Sequence, residues 1–150
     1  KAEIAGITLI DDFAHHPTAV RVTLEALRRR YPNRRLIAVF EPRSRTSRLR
    51  IMQPAFEEAF LAADVALIGP VFRPEVVSEE ARLSPPELAR ALRERGRPAY
   101  AFSEVEEIVS ALDEMLVPGD VVVVLSNGDF GGLQEKLIRK LRERGAQKTL

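Results

Sequence analysis

The chain predicts a doubly wound α/β fold, a mostly parallel sheet of five to six strands with helices on both faces. Three observations carry that prediction. Short apolar runs alternate with amphipathic helical stripes along the whole chain. The runs are β-branched or aromatic and apolar on both faces, as buried parallel strands are. Most are followed by a polar turn that opens a helix.

The elements follow in order. Ile7-Thr8-Leu9-Ile10 is the first strand and ends at Asp11; Val20, Leu24, Leu27 and Tyr31 form the stripe of the first helix, opened near Pro17. Leu36 to Phe40 is the second strand, ending at Glu41, and Leu49, Met52, Phe56 and Phe60 form the next stripe. Val65 to Ile68 is the third strand, ending at Gly69. The irregular stretch from Pro70 to Leu83 that follows is the longest in the chain, and connections of that length are often functional loops. Ser84-Pro85-Pro86-Glu87 reads as a capping box with proline at the first helical position. After the short strand Ala99 to Phe102, Ser103-Glu104-Val105-Glu106 reads as a second capping box. It opens a helix striped by Val105, Ile108, Val109, Leu112 and Leu116. Pro118-Gly119-Asp120 turns into Val121 to Leu125, the most hydrophobic strand, and Leu133, Leu137 and Leu141 stripe the last helix.

Composition narrows the function classes. The 150 residues favour one domain, and 45% hydrophobic residues are enough for a core. Lys plus Arg number 23 against 22 Asp plus Glu, a balance that argues against a dedicated nucleic-acid binder. Cysteine is absent, which excludes disulfides, thiolate metal sites and a cysteine nucleophile; a reducing cytoplasm is compatible. No apolar run is long enough to span a bilayer, so no membrane partner is expected. The chain begins with Lys1-Ala2-Glu3-Ile4 directly before a strand, without the order of a signal peptide, and reads as a domain cut from a longer protein.

Parallel strands place their carboxyl ends on one rim, where ligands bind in open α/β sheets. Asp11-Asp12-Phe13-Ala14-His15-His16-Pro17-Thr18 sits there after the first strand. Of its carboxylates, Asp12 is the functional candidate; Asp11 is expected either to cap the helix near Pro17 or to be solvated. His15 and His16 are the only histidines. Adjacent side chains point apart and no further histidine or cysteine is available, so no metal site is expected. One of the two is expected to meet substrate, and Thr18 serves either an anion or the first helical turn. Arg43-Ser44-Arg45-Thr46-Ser47-Arg48 follows the second strand with three guanidinium groups and three hydroxyls, a composition suited to carboxylate or phosphate. Arg73 in the long loop is either a carboxylate reader or a plain surface residue. Ser126-Asn127-Gly128-Asp129-Phe130-Gly131-Gly132 follows the last strand, its glycines permitting close backbone approach. The chain has neither a GxGxxG fingerprint nor a GxxxxGK[ST] phosphate loop.

The turns Asp11 to Thr18, Phe40-Glu41-Pro42-Arg43-Ser44 and Ser126 to Gly132 together resemble, in the right order and across essentially the whole chain, the C-terminal domain of the Mur ligase family. Phe13-Ala14, Arg43-Ser44 and Ser126-Asn127 depart from the L-alanine-adding members. They resemble instead the branch that joins L-Ala-γ-D-Glu-meso-diaminopimelate to UDP-N-acetylmuramate in peptidoglycan recycling. The resemblance implies a Rossmann-like fold for residues 1–150, as the third domain of a cytoplasmic ligase. Its partners would be the N-terminal UDP-sugar domain and the central ATP domain, which binds most of the ATP and Mg²⁺ that this domain does not. It implies that Asp12 orients the incoming amine or touches the nucleotide, that His15 is catalytic and that His16 faces substrate. Arg43, Ser44 and Thr46 would bind peptide carboxylates, and Ser126, Asn127 and Phe130 would form the far wall of the peptide pocket. The isolated domain would be inactive. The alternatives are the corresponding domain of an L-alanine-adding ligase and a non-catalytic α/β binding or signalling module. A phosphoacceptor domain needs an aspartate ending the third strand, where Gly69-Pro70 stands, and a lysine where Ser126-Asn127 stands.

Overall fold

A computed structural model describes residues 1–149. In chain order its elements are β1 (Ala2–Ile4), β2 (Ile7–Asp12), α1 (Pro17–Arg30), β3 (Leu36–Phe40), α2 (Gln53–Phe60) and β4 (Val65–Ile68). There follow α3 (Pro85–Glu94), β5 (Ala99–Ala101), α4 (Val105–Met115), β6 (Val121–Leu125) and α5 (Leu133–Thr149). The strands form one sheet in the order β1-β2-β6-β3-β4-β5. All neighbours pair in parallel except β1, which folds back on β2 with Ile4 opposite Ile7. The expected doubly wound sheet is thus present, with a hairpin strand added at its edge. Ala5 and Gly6 turn that hairpin with φ of 53° and 79°, the paired positive values whose twist suits a two-residue loop. Alanine is an unusual residue there, so the sequence carries no hairpin signal.

Helices cover both faces. Val20, Leu24, Phe56, Phe60, Leu88 and Leu92 bring α1, α2 and α3 onto one side of the sheet. Ile108, Leu112, Leu133, Leu137 and Leu141 bring α4 and α5 onto the other. Phe40 anchors the first layer, its ring centroid 4.7 Å from Phe56 and 5.4 Å from Phe60. No helix among the described residues is long and apolar enough to cross a membrane.

Two local expectations change. The N-cap of α1 is His16, not an aspartate: its side chain accepts from Thr18 N at 3.3 Å, while Asp12 Oδ1 turns back to Ala14 N at 2.8 Å. The capping box of α4 lies one residue later than read, because the helix begins at Val105: Glu104 is the cap and Glu107 the third position, while Glu106 reaches Lys136 at 2.6 Å. Ser84 caps α3 as expected, but Glu87 pairs with Arg50 rather than closing the box. The Leu49–Phe60 stripe is split, since α2 begins only at Gln53 after one 3₁₀ turn, and Leu49 forms an extended bridge to Arg82. The loop from Pro70 to Leu83 contains two short 3₁₀ turns.

The amino ends of the strands are fastened by ion pairs. Arg35 meets Asp120 through Nε at 3.1 Å and Nη2 at 2.6 Å, and Asp120 also accepts Val117 N. Arg28 holds Asp64 at 2.6 Å, and Asp64 accepts Leu36 N. Burial works to raise the Asp64 carboxyl, but Arg28 and the Leu36 N–H outweigh it and hold the group below its ordinary range. Asp120 is 3% exposed. Removing it leaves the Arg35 charge and the Val117 N–H without their partner, so Asp120→Ala is expected to lower the unfolding free energy by about 2–4 kcal/mol in urea titration.

Candidate functional site

The connections set the position of the site. β3 leads to α2 on one face of the sheet, whereas β6, inserted between β2 and β3, leads to α5 on the other. Strands whose following helices leave to opposite faces open a crevice at their carboxyl ends. β6 is flanked by two such crevices, and the turns after β2, β6 and β3 meet there.

Ser126 joins the three turns. Its N–H donates to Asp12 O at 3.2 Å, and its hydroxyl donates to Glu41 Oε1 at 2.6 Å and accepts Gly128 N at 3.1 Å. Glu41 N in turn donates to Leu125 O. Glu41 is 6% exposed, and burial pushes its carboxyl above the ordinary carboxylate range. Ser126 and Arg43 oppose that shift, and the charge of Asp129 adds to it.

Arg43 is positioned from four sides. Its Nη1 lies 3.7 Å from Glu41 Oε1 and 3.5 Å from Asp129 Oδ1. Its guanidinium lies 3.8 Å from the centroid of Phe72, a stacked cation–π contact. Gly128 completes the cradle, because a Cβ there would stand 2.2 Å from Arg43 Nε. Arg73 lies on the same Phe72 ring at 5.2 Å and adopts a left-handed φ of 45°. Arg45 is exposed and makes no ion pair among the described residues.

The histidines present different nitrogens. His15 Nδ1 lies 2.7 Å from Phe13 O, so in the neutral ring Nδ1 carries the proton and Nε2 is left as an acceptor. His16 Nδ1 accepts from Thr18 N, which leaves Nε2–H as a donor. Beside Asp12, the turn after β2 thus offers a proton acceptor, a donor and a carboxylate within five residues of sequence.

Asp12, Arg43 and Ser126 therefore belong to one network. His15, His16, Thr46 and Asn127 stand on the same edge, and among the described residues no hydrogen bond ties their side chains to it. Asp11 and Thr18 are exposed. Three expectations are revised. Phe130 is 1% exposed, packed so closely over Gly69 that a Cβ there would stand 2.7 Å from its ring; it supports the rim from beneath rather than walling a pocket. Ser126, at 2%, is buried with its hydroxyl turned to Glu41 rather than open to a ligand. The Ser44 hydroxyl is committed to Ser47 within its own turn, at 2.7 Å to the hydroxyl and 3.1 Å to the N–H. Glu41 and Phe72 are the residues that sequence reasoning missed. Glu41 directly follows the second strand, and the signal was a lone acid closing a fully apolar strand.

Among the described residues no group of three or more His, Cys, Asp or Glu side chains is gathered to hold a metal ion.

Comparison with known proteins bears on this rim. Residues 1–128 match the family model for the Mur ligase, glutamate ligase domain. The chain is 38% identical over 143 residues to UDP-N-acetylmuramate–L-alanine ligase from Roseiflexus sp. (strain RS-1), covering 95% of this chain and 30% of that protein. It is 36% identical over 146 residues to UDP-N-acetylmuramate–L-alanyl-γ-D-glutamyl-meso-2,6-diaminoheptandioate ligase from Escherichia coli (strain K12), covering 96% and 30%. The crystal structure of a murein peptide ligase from Psychrobacter arcticus 273-4 aligns with a TM-score of 0.79 at 28% identity, over 95% of this chain and 29% of that one. The chain spans about 30% of the length of the curated relatives it matches.

The raised Glu41 carboxyl has a measurable sign. A group whose folded pKa lies above its unfolded value of about 4.3 contributes most below that pH and loses its contribution as pH rises through the folded pKa. Glu41→Gln keeps an acceptor for Ser126 and removes the titration. The Tm of the variant minus that of the unsubstituted chain is expected to rise as pH is raised from about 4 to 7; a difference that falls instead would show the carboxylate to be stabilised by its surroundings.

Proposed function

The chain belongs to the Mur ligase family, and on that premise we propose that it is the C-terminal, acceptor-binding domain of a three-domain ATP-dependent ligase. The ligase joins L-Ala-γ-D-Glu-meso-diaminopimelate to UDP-N-acetylmuramate in the cytoplasm during peptidoglycan recycling. ATP with Mg²⁺, bound chiefly by the central domain, supplies the activation of the muramyl carboxylate.

One observation carries the choice of acceptor. Arg43, Arg45 and Arg73 lie on adjacent turns of one sheet edge, and only Arg43 is paired with carboxylates among the described residues. L-alanine has one carboxylate to offer, whereas the tripeptide has several. Two guanidinium forks that no carboxylate of the described residues pairs with, those of Arg45 and Arg73, suit the more acidic acceptor. The motif differences around Phe13-Ala14, Arg43-Ser44 and Ser126-Asn127 point the same way. The relatives include both kinds of ligase at nearly equal identity, so the arginines and not the percentages support this reading.

In this proposal the domain mainly positions. Arg43, Arg45 and Thr46 hold acceptor carboxylates, with Asn127 and His16 donating beside them. The acceptor's α-amine must shed a proton as the amide forms; Asp12 orients it and His15 Nε2, left free by the Phe13 contact, takes the proton. Holding the amine in line with the activated carboxyl removes most of the entropic cost of their encounter, and closure by the other domains excludes competing water.

The test uses the full-length ligase with UDP-N-acetylmuramate and ATP, reading phosphate release with either the tripeptide or L-alanine as acceptor. Turnover with the tripeptide and little with L-alanine is expected; the reverse overturns the acceptor. Arg45→Ala should raise the tripeptide KM roughly tenfold, the loss of one charge-assisted hydrogen bond, and leave the ATP KM unchanged.

A further inference from the structure

Two carboxylates compete for Arg43, and both come nearest at the same nitrogen. Glu41 Oε1 lies 3.7 Å and Asp129 Oδ1 3.5 Å from Nη1. Both distances exceed the roughly 2.7–2.9 Å of a charge-assisted hydrogen bond, so neither acid saturates the guanidinium fork. The Arg43 side chain is 25% exposed and open to a third partner from outside.

The two acids are not alike. Glu41 is buried and takes the Ser126 hydroxyl at 2.6 Å, so it leaves Arg43 only by breaking that bond and standing unpaired out of water. Asp129 is 81% exposed on its side chain. It opens the 3₁₀ turn Phe130–Gly132, a position where aspartate ordinarily caps with its own carboxylate, yet it makes no capping hydrogen bond there. Its carboxylate is given to Arg43 and not to the turn that carries it.

The local charges already balance. Arg43 and Arg73 lie on the Phe72 ring at 3.8 and 5.2 Å, and Glu41 and Asp129 stand against Arg43. A carboxylate added to this group would be a third acid for two guanidinium groups. Exchange avoids the excess: one carboxylate arrives at Nη1 and Asp129 departs into water. That departure costs little, because an ion pair this exposed is weak. We propose that Asp129 is a displaceable stand-in for the acceptor's carboxylate, holding Arg43 in its binding pose and yielding Nη1 when the acceptor arrives. Asp129 is thereby a positioning residue with a bearing on specificity, since an acceptor end without a carboxylate has nothing to exchange for it. The assignment rests on the reading above that Arg43 takes an acceptor carboxylate.

Steady-state kinetics of the full-length ligase test it, with L-Ala-γ-D-Glu-meso-diaminopimelate as acceptor. Asp129→Asn removes the competing charge at an exposed position. It is expected to lower the peptide KM roughly two- to fivefold, the worth of one exposed ion pair, with kcat and the ATP KM unchanged. Asp129→Glu keeps a carboxylate and is expected to keep the KM of the unsubstituted enzyme. In an Arg43→Ala background Asp129→Asn is expected to have no effect, because the competition is gone. A peptide KM that stays or rises in Asp129→Asn, while Arg43→Ala raises it, overturns the stand-in and leaves the acceptor contact standing. So does a fall of equal size with and without Arg43, which would report general attraction for an anionic peptide, or a fall in Asp129→Glu as large as in Asp129→Asn. An Arg43→Ala enzyme with unchanged peptide KM overturns the acceptor contact and the stand-in with it. If the ligase turns over L-alanine and not the peptide, the peptide reading fails, and the same comparison of L-alanine KM values upholds or overturns the stand-in.

Discussion

A hydrogen bond of 2.6 Å between the Ser126 hydroxyl and the buried Glu41 carboxyl holds the functional edge of this domain together. It crosses from the end of β6 to the end of β3, the pair of strands whose helices leave to opposite faces. A carboxylate withdrawn from water is costly unless its oxygens are partnered. Ser126 supplies one partner and Arg43 the opposing charge, so burial of Glu41 in effect specifies where both must stand. Arg43 then has little freedom, fixed between two acids, an aromatic ring and a glycine that leaves it room. A side chain held in this way loses little entropy when it takes up a ligand.

The two edges of the sheet use their arginines differently. At the amino edge Arg28 and Arg35 face Asp64 and Asp120, and Arg34 reaches the Thr8 hydroxyl at 2.8 Å. Those side chains fasten strands. At the carboxyl edge the charges are left partly uncommitted, and the backbone is strained there, with left-handed φ at Arg73 and Phe130. Strain that persists where the surrounding packing enforces it is common at binding edges. Phe130 shows how it is enforced: its ring is locked against Gly69, which has no side chain to resist it.

Much of this was legible in the sequence. The strands β2 to β6 and the burial of Val20, Leu24, Phe56, Phe60, Leu112 and Leu137 follow from periodicity, because a side chain's face is set by its spacing. The rim followed from parallel strands, since that arrangement alone brings Asp12, Arg43 and Ser126 to one edge. Strand order was not legible: nothing local to Val121–Leu125 says that it inserts between β2 and β3. For the same reason Glu41 read as a rim residue rather than a buried one, and Ser126 and Phe130 read as ligand contacts rather than supports. An aspartate was expected to cap α1 because aspartate caps more often than histidine; here Asp11 is exposed, Asp12 accepts from Ala14 N, and the cap falls to His16.

The central claim is that Ser126 acts on the acceptor only through Glu41 and Arg43. A double-mutant cycle on the full-length ligase tests it directly, with the tripeptide KM measured for Ser126→Ala, Arg43→Ala and the pair. Ser126→Ala should raise KM when Arg43 is present and have no further effect when Arg43 is alanine, a coupling of about 1 kcal/mol or more. Strictly additive effects would contradict the account, since Ser126 would then reach the acceptor by a route that does not pass through Arg43.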